Sequence, residues 1–254
     1  MNEGTPASIT DRQWSRWGAQ DPYRGVLGVG SDSMSDAAVR AKFFASGDED
    51  VGLALDAIER RAPGFVARGG EVLDFGCGVG RLMVAFARRG FRVTGVDVSP
   101  DIIKVAQQNL AEFAGRTGFV ALGDIAPGRF FEVVHSHIVI QHIRPVQGMP
   151  IVARLMELVR PGGFLAIQFT LGSNDWRRNA ANWLRYRVPP VQYAYNLLRG
   201  RPLAEPVMEL NTYDIHAVLA LCAEKGIHDV SLFRHGGDTY RGVMIVGQKP
   251  AVQG

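Results

Sequence analysis

Val72-Leu73-Asp74-Phe75-Gly76-Cys77-Gly78-Val79-Gly80-Arg81 reads as a strand, a glycine turn and the start of a helix. Gly76 and Gly78 permit positive φ and let a ligand press against bare backbone. The helix behind them offers free N–H groups to an anion. In an open parallel sheet, ligands sit beyond the carboxyl ends of the strands, so this turn is the expected site. Downstream, Val93-Thr94-Gly95-Val96-Asp97 ends a second strand on an acid, 21 residues after Gly76. An acid there accepts hydrogen bonds from ribose hydroxyls.

The same β–α alternation extends outward from the turn. A helix is expected from Arg81 to Arg89, stopped by Gly90, and another from a Ser99 N-cap, with Pro100 first, to about Phe113. Strands are expected at Phe119–Leu122, Phe131–His137 and Phe164–Thr170, with a helix near Gln147–Val159 ended by Arg160-Pro161-Gly162-Gly163. Tyr213–Lys225 reads as a helix, and His228–Arg234 with Tyr240–Gln248 as two strands on a link too short for a right-handed crossover. That pair must be an antiparallel hairpin. The fold class is therefore α/β, a parallel sheet with helices on both faces and an antiparallel finish. Residues 1–60 read as a helical cap, with Val51, Leu55 and Ile58 on one helical face, and 61–254 as the main domain.

Composition narrows the class. The 254 residues are 46% hydrophobic and 21% charged, with a formal net charge of +3, which excludes a collagen, a mostly disordered chain or a disulfide scaffold. Two cysteines, Cys77 and Cys222, suit a reducing compartment. No signal-peptide pattern and no apolar run of membrane-spanning length is visible, so a cytoplasmic location is expected.

Two details choose between ligands for the turn. A dinucleotide fingerprint wants glycine at its sixth position, and here that position is Arg81. Asp74 is a poor neighbour for a pyrophosphate and a good one for an ammonium group, although it could equally brace the loop by accepting backbone N–H bonds. Five patches, "VLDFGCGVGR", "VTGVDVSPDII", "ALGDI", "FEVVHSHIVIQHI" and "LVRPGGFLAIQF", span about residues 68 to 171 in order. In these the chain resembles the class I S-adenosylmethionine-dependent methyltransferases of small-molecule type. The resemblance implies a seven-stranded Rossmann-like sheet of order 3-2-1-4-5-7-6 with the last strand antiparallel, and S-adenosylmethionine as cofactor. It also implies that Gly76 and Gly78 line the methionine part, Asp97 holds the ribose, and Asp124 reads adenine with Ile125 on the ring. Asp74, Cys77, Arg81, Val98 and His137 complete the expected cofactor contacts, Cys77 without redox or nucleophilic role and Arg81 either reaching the carboxylate or only capping the helix. Glu132 stands where many relatives carry Asp, a structural departure.

His135, His137 and His142 carry no carboxylate or thiolate at ligand spacing, so no metal is expected. His135 should be buried within the sheet, His137 should border the cofactor pocket, and His142 should face the acceptor as general base or serve structurally. Trp14, Trp17 and Tyr23 are lid candidates, as is an insertion over 172–211. Within it, residues 173–201 hold Arg177, Arg178, Arg185, Arg187, Arg199 and Arg201 against one acid, Asp175, interleaved with Trp176, Trp183, Tyr186, Tyr193 and Tyr195. Such a segment could clamp an anionic or lipid-linked small molecule, lie on an anionic membrane, track RNA, or simply be a solvated lid. The expected activity is methyl transfer to a small-molecule acceptor, at a hydroxyl oxygen of a glycan, secondary metabolite or lipid-linked saccharide. The alternatives are an RNA or protein methyltransferase, a non-catalytic cofactor-binding protein and, most remote, a nicotinamide oxidoreductase.

Overall fold

A computed structural model describes residues 9–27, 30–172, 188–198, 209–235 and 241–251, together with 175, 177, 180, 181, 184 and 185. Of the sequence features above, Trp176, Arg178, Trp183, Tyr186, Arg187, Arg199, Arg201, Tyr240 and the short link at 236–239 lie outside the described residues. The described elements are α1 (Ile9–Gln20), α2 (Pro22–Leu27), α3 (Ala37–Arg61), α4 (Phe65–Arg68), β1 (Glu71–Phe75), α5 (Arg81–Arg88), β2 (Arg92–Val96), α6 (Pro100–Asn109), β3 (Thr117–Phe119), β4 (Phe131–Ser136), α7 (Pro145–Glu157), β5 (Val159–Gly172), α8 (Pro189–Leu198), α9 (Ile215–Glu224), β6 (His228–His235) and β7 (Arg241–Gln248).

The seven strands form one sheet of order β3-β2-β1-β4-β5-β7-β6. Strands β1 to β5 pair in parallel, and β7 runs antiparallel to both β5 and β6. Both faces are covered, which is why the strands read as continuous apolar runs rather than alternating ones. Val72, Val133, Phe164 and Val246 face a core built with α3, α5 and α6. Their chain neighbours Leu73, Val134, Leu165 and Ile245 face the other core, with α7 and α9.

Local chemistry sets the helix ends. The Ser99 hydroxyl accepts from Ile102 N, with Pro100 behind it, so α6 starts where sequence places it. Past Asn109 that helix becomes a short 3-10 turn, Ala111–Phe113. The third strand differs from expectation: it is Thr117–Phe119, and Leu122–Asp124 is a 3-10 turn. The fifth strand starts early, since Val159 already pairs with Phe131 before the Pro161-Gly162 kink. Among the described residues no helix is long and apolar enough to cross a membrane.

Candidate active site

Gly76 and Gly78 hold φ of +74° and +53°, the left-handed region that favours glycine. A Cβ on Gly76 would stand 2.3 Å from a methyl of Val139, and one on Gly78 would stand 3.0 Å from Val26. The turn is therefore pressed between the β4–α7 loop and α2, and only bare backbone fits. Gly76 N and Cys77 N donate to Val96 O at 2.7 and 3.0 Å, which ties the turn to β2.

Asp97 closes this arrangement from the end of β2. One oxygen accepts from Gly78 N at 3.0 Å and the other from Ser99 N at 3.0 Å. Burial still pushes its carboxyl above the ordinary carboxylate value despite these donors. A carboxylate oxygen has more than one acceptor direction, so a ligand diol would find acceptors already aimed and already partly desolvated.

The turn, Asp97 and Val98 line an open-mouthed cleft of about 870 Å³, counting the solvent space at its mouth, which Phe75, Cys77, Arg81, His137, Val139 and His142 also border. From α1 and α2, Asp11, Trp14, Gly25 and Val26 cover it. Of the N-terminal aromatics, Trp14 is thus a wall, whereas Trp17 and Tyr23 are buried away from it, Tyr23 donating to Asn109 Oδ1 at 2.9 Å. Asp124 is exposed and Ile125 packs in the core beneath; neither borders the cavity in this structure. Burial, with Asp97 and Asp74 nearby, drives the Cys77 thiol well above its ordinary pKa, so it stays protonated and inert.

Asp74 and His135 occupy paired positions on β1 and β4, and their side chains meet at 2.9 Å, both fully buried. Asp74 therefore braces a strand-to-strand contact and does not reach the cavity. Arg81 is also engaged from outside the turn: its guanidinium donates to Asp50 of α3 at 2.6 Å and to Ser46 at 3.1 Å, while still bordering the cavity. His137 meets His235 of β6 nitrogen to nitrogen at 2.9 Å, and its other ring nitrogen lies 3.5 Å from the Asp50 carboxylate. Burial, backed by His135, His235 and Arg81, holds His137 well below the ordinary imidazole value. Asp50 and His235 thus belong to the site's surroundings, and the sequence signal for them was only their residue types.

His142 sits on the short turn Ile140–His142 and is buried. Its Nδ1 donates to the Glu209 carbonyl at 2.8 Å, which leaves Nε2 as the accepting nitrogen; the Gln141 amide lies 3.3 Å from it. Trp14 stands edge-on, ring centroids 5.2 Å apart. Burial lowers its pKa from 6.5, so the neutral, accepting form prevails at neutral pH. Two residues before this turn, Ile138 has φ of +60°, a costly conformation for a β-branched side chain, held by Gln168 Oε1 accepting from its N–H at 3.0 Å. The three histidines engage three different partners, and among the described residues no group of three ligating side chains converges on a metal site.

The sequence family described as a methyltransferase domain matches residues 48–209. A ubiquinone biosynthesis O-methyltransferase from Chromobacterium violaceum is 34% identical over 151 residues, 58% of this chain and 60% of that one. A demethylmenaquinone methyltransferase from Tropheryma whipplei is 30% identical over 103 residues, 40% of this chain and 42% of that one. The chain thus spans about half the length of the curated relatives it matches. Among solved structures, magnesium protoporphyrin IX methyltransferase from Synechocystis PCC 6803, with bound S-adenosylhomocysteine, superposes with a TM-score of 0.64 at 18% identity, covering 94% of this chain and 98% of that one. At that identity the likeness speaks for the fold.

Proposed function

Because this chain belongs to the methyltransferase-domain family and has the class I S-adenosylmethionine-dependent fold, we propose that it methylates a small-molecule acceptor at a hydroxyl oxygen. The supporting observation is the cradle itself, Gly76 and Gly78 pressed to bare backbone with Gly78 N bonded to Asp97. A charged amino-acid nucleoside fits these residues: the glycine turn takes the amino-acid end, and the Asp97 oxygens take a diol. When bound, S-adenosylmethionine supplies an activated sulfonium methyl. The chain's own work is then alignment, exclusion of water and custody of one proton, and alignment alone is worth roughly 7–11 kcal/mol when the geometry is good. Trp14 and Val26 shield the cavity from solvent, and Arg81, already paired with Asp50, stays as part of the wall. His142 accepts the acceptor's hydroxyl proton on Nε2, the nitrogen its Glu209 bond leaves basic, with the substrate hydroxyl replacing the long Gln141 amide contact there.

Of a glycan, a secondary metabolite and a lipid-linked saccharide, the apolar walls of Trp14, Val139 and Ile143 favour an acceptor with a flat or apolar body, the secondary-metabolite class. The relatives named for quinone biosynthesis agree with that choice. A second reading concerns delivery: α8 exposes Tyr193, Leu197 and Leu198 beside an arginine-rich sequence, which suits peripheral contact with an anionic membrane carrying an apolar acceptor. Isothermal titration with S-adenosylhomocysteine tests the core of the proposal; micromolar binding is expected, and its absence defeats it. Turnover of phenolic acceptors with loss of activity in His142→Ala tests the base.

A further inference from the structure

The loop that carries His142 is fastened residue by residue to a second stretch of chain, 209–213. Asn211 donates to the Gln141 carbonyl from its backbone N–H at 2.6 Å and from its side chain at 3.1 Å. The Glu209 carbonyl takes the His142 Nδ1 proton at 2.8 Å. The Tyr213 hydroxyl donates to Ile143 O at 2.8 Å. The Glu209 carboxylate receives a two-pronged contact from Arg144, at 2.9 and 2.7 Å. Four consecutive loop residues therefore have four anchors. Room has been made for this fastening, because a Cβ on Gly148 of α7 would overlap the Tyr213 hydroxyl at 1.8 Å.

The loop begins on a strained residue, Ile138 at positive φ, which Gln168 holds from β5, so its shape depends on contacts from outside. Glu209 is nearly buried, whereas the Arg144 side chain is about half exposed at 48%. A bidentate guanidinium–carboxylate contact with one buried member fixes orientation as well as distance. In water, neutral imidazole prefers its proton on Nε2, the form that cannot accept there; the Glu209 carbonyl enforces the opposite choice.

We infer that Glu209 is a positioning residue for methyl transfer, clamping Arg144 with its side chain so that its carbonyl holds His142 in the tautomer whose Nε2 accepts a proton. This rests on the proposed function, in which His142 is the base. It also makes the end of the insertion and the residues just after it, 209–213, a working part of the acceptor side rather than a connector.

Imidazole-¹⁵N-labelled protein, free of cofactor, gives a direct readout. In the unaltered chain, long-range ¹H–¹⁵N correlations should show His142 protonated at Nδ1. In Glu209→Ala, the Nε2–H form should become substantial and the His142 titration midpoint should rise toward 6.5. The rise follows because burial is what holds the ring below that value, and an unclamped loop admits water. Other charged or titratable groups bordering the same cavity are Asp11 from α1, Cys77, Asp97, Arg81 and His137, all unaltered in this variant. The exchange Arg144→Glu with Glu209→Arg should restore both signals, and Glu209→Gln, which keeps shape, should fall between; these two carry the test should Glu209→Ala not fold. Unchanged tautomer and midpoint in folded Glu209→Ala or Glu209→Gln overturn the inference. Titration with S-adenosylhomocysteine runs alongside: undetectable binding by the unaltered chain defeats the functional reading, whereas normal binding with an unmoved His142 defeats the clamp alone.

Discussion

The two sides of the cavity are built on different plans. The side proposed for the cofactor is local: β1, the glycine turn and the end of β2 lie within 26 residues, Val72 to Asp97, and backbone groups make most of its contacts. The side proposed for the acceptor is assembled from α1, the loop after β4 and the 209–213 stretch, with Arg81 and His137 tied to Asp50 and His235 from further elements still. A site made of backbone conformation fails at once when a side chain is added. One made of distant side chains should fail piecemeal, through stability and proton affinity.

Gly76→Ala is the severest test of that contrast. Its Cβ would invade Val139 at a positive φ, so S-adenosylhomocysteine binding should vanish in titration calorimetry, and stability should drop by about 2–4 kcal/mol in urea unfolding. Normal binding would mean the cradle is not the site. Asp97→Ala should retain the fold yet weaken binding about 100-fold, the equivalent of about 2.7 kcal/mol from lost charge-assisted hydrogen bonds. Asp50→Ala probes the other side: it leaves the buried Arg81 guanidinium with Ser46 alone and no counter-charge, and about 2–3 kcal/mol of stability should disappear, discounted because Asp50 is partly exposed. Its cofactor affinity should change far less than that of Asp97→Ala, and equal losses would erase the distinction between the two sides.

The smallest effect is a pH dependence. His137, His142 and His235 are all held below their ordinary value of 6.5, mainly by burial. An unfolded chain therefore takes up protons that the folded one refuses, so stability is complete above about pH 6.5 and falls as pH drops from there toward the folded values. The two more deeply buried of these rings, His137 and His142, should make the urea midpoint fall as pH drops below about 6.5. His137→Gln should flatten the curve, and a flat curve in the unaltered chain would contradict neutral buried rings.

The contrast also explains what sequence could reveal. Gly76, Gly78 and Asp97 were legible because turn chemistry and a spacing along the chain define them. The antiparallel finish followed from the short β6–β7 link and the parallel sheet from the repeated β–α pattern, whereas the strand order came only with the family resemblance. The role of Asp74 was not legible, because its partner His135 is set by the β1–β4 register, which parallel strands do not announce. Nor were Arg81–Asp50 and His137–His235, which join residues 31 and 98 positions apart. The third strand slipped because Phe119–Leu122 is the more apolar run, whereas pairing with β2 selects Thr117–Phe119. Glu209 carried no signal beyond being an acid near the end of a basic stretch.

The place of β7 bears on how this chain is made. It lies between β5 and β6, yet both precede it in order of synthesis. A nascent chain on the ribosome thus presents the β5 margin, Phe164 to Gly172, to solvent until Arg241 onward emerges. Meanwhile β6 has no legitimate neighbour and can lodge against β5 in its stead. Chaperones that shield bare sheet margins should therefore engage this polypeptide late, and a premature stop before residue 241 should yield aggregates rather than a shortened but folded product.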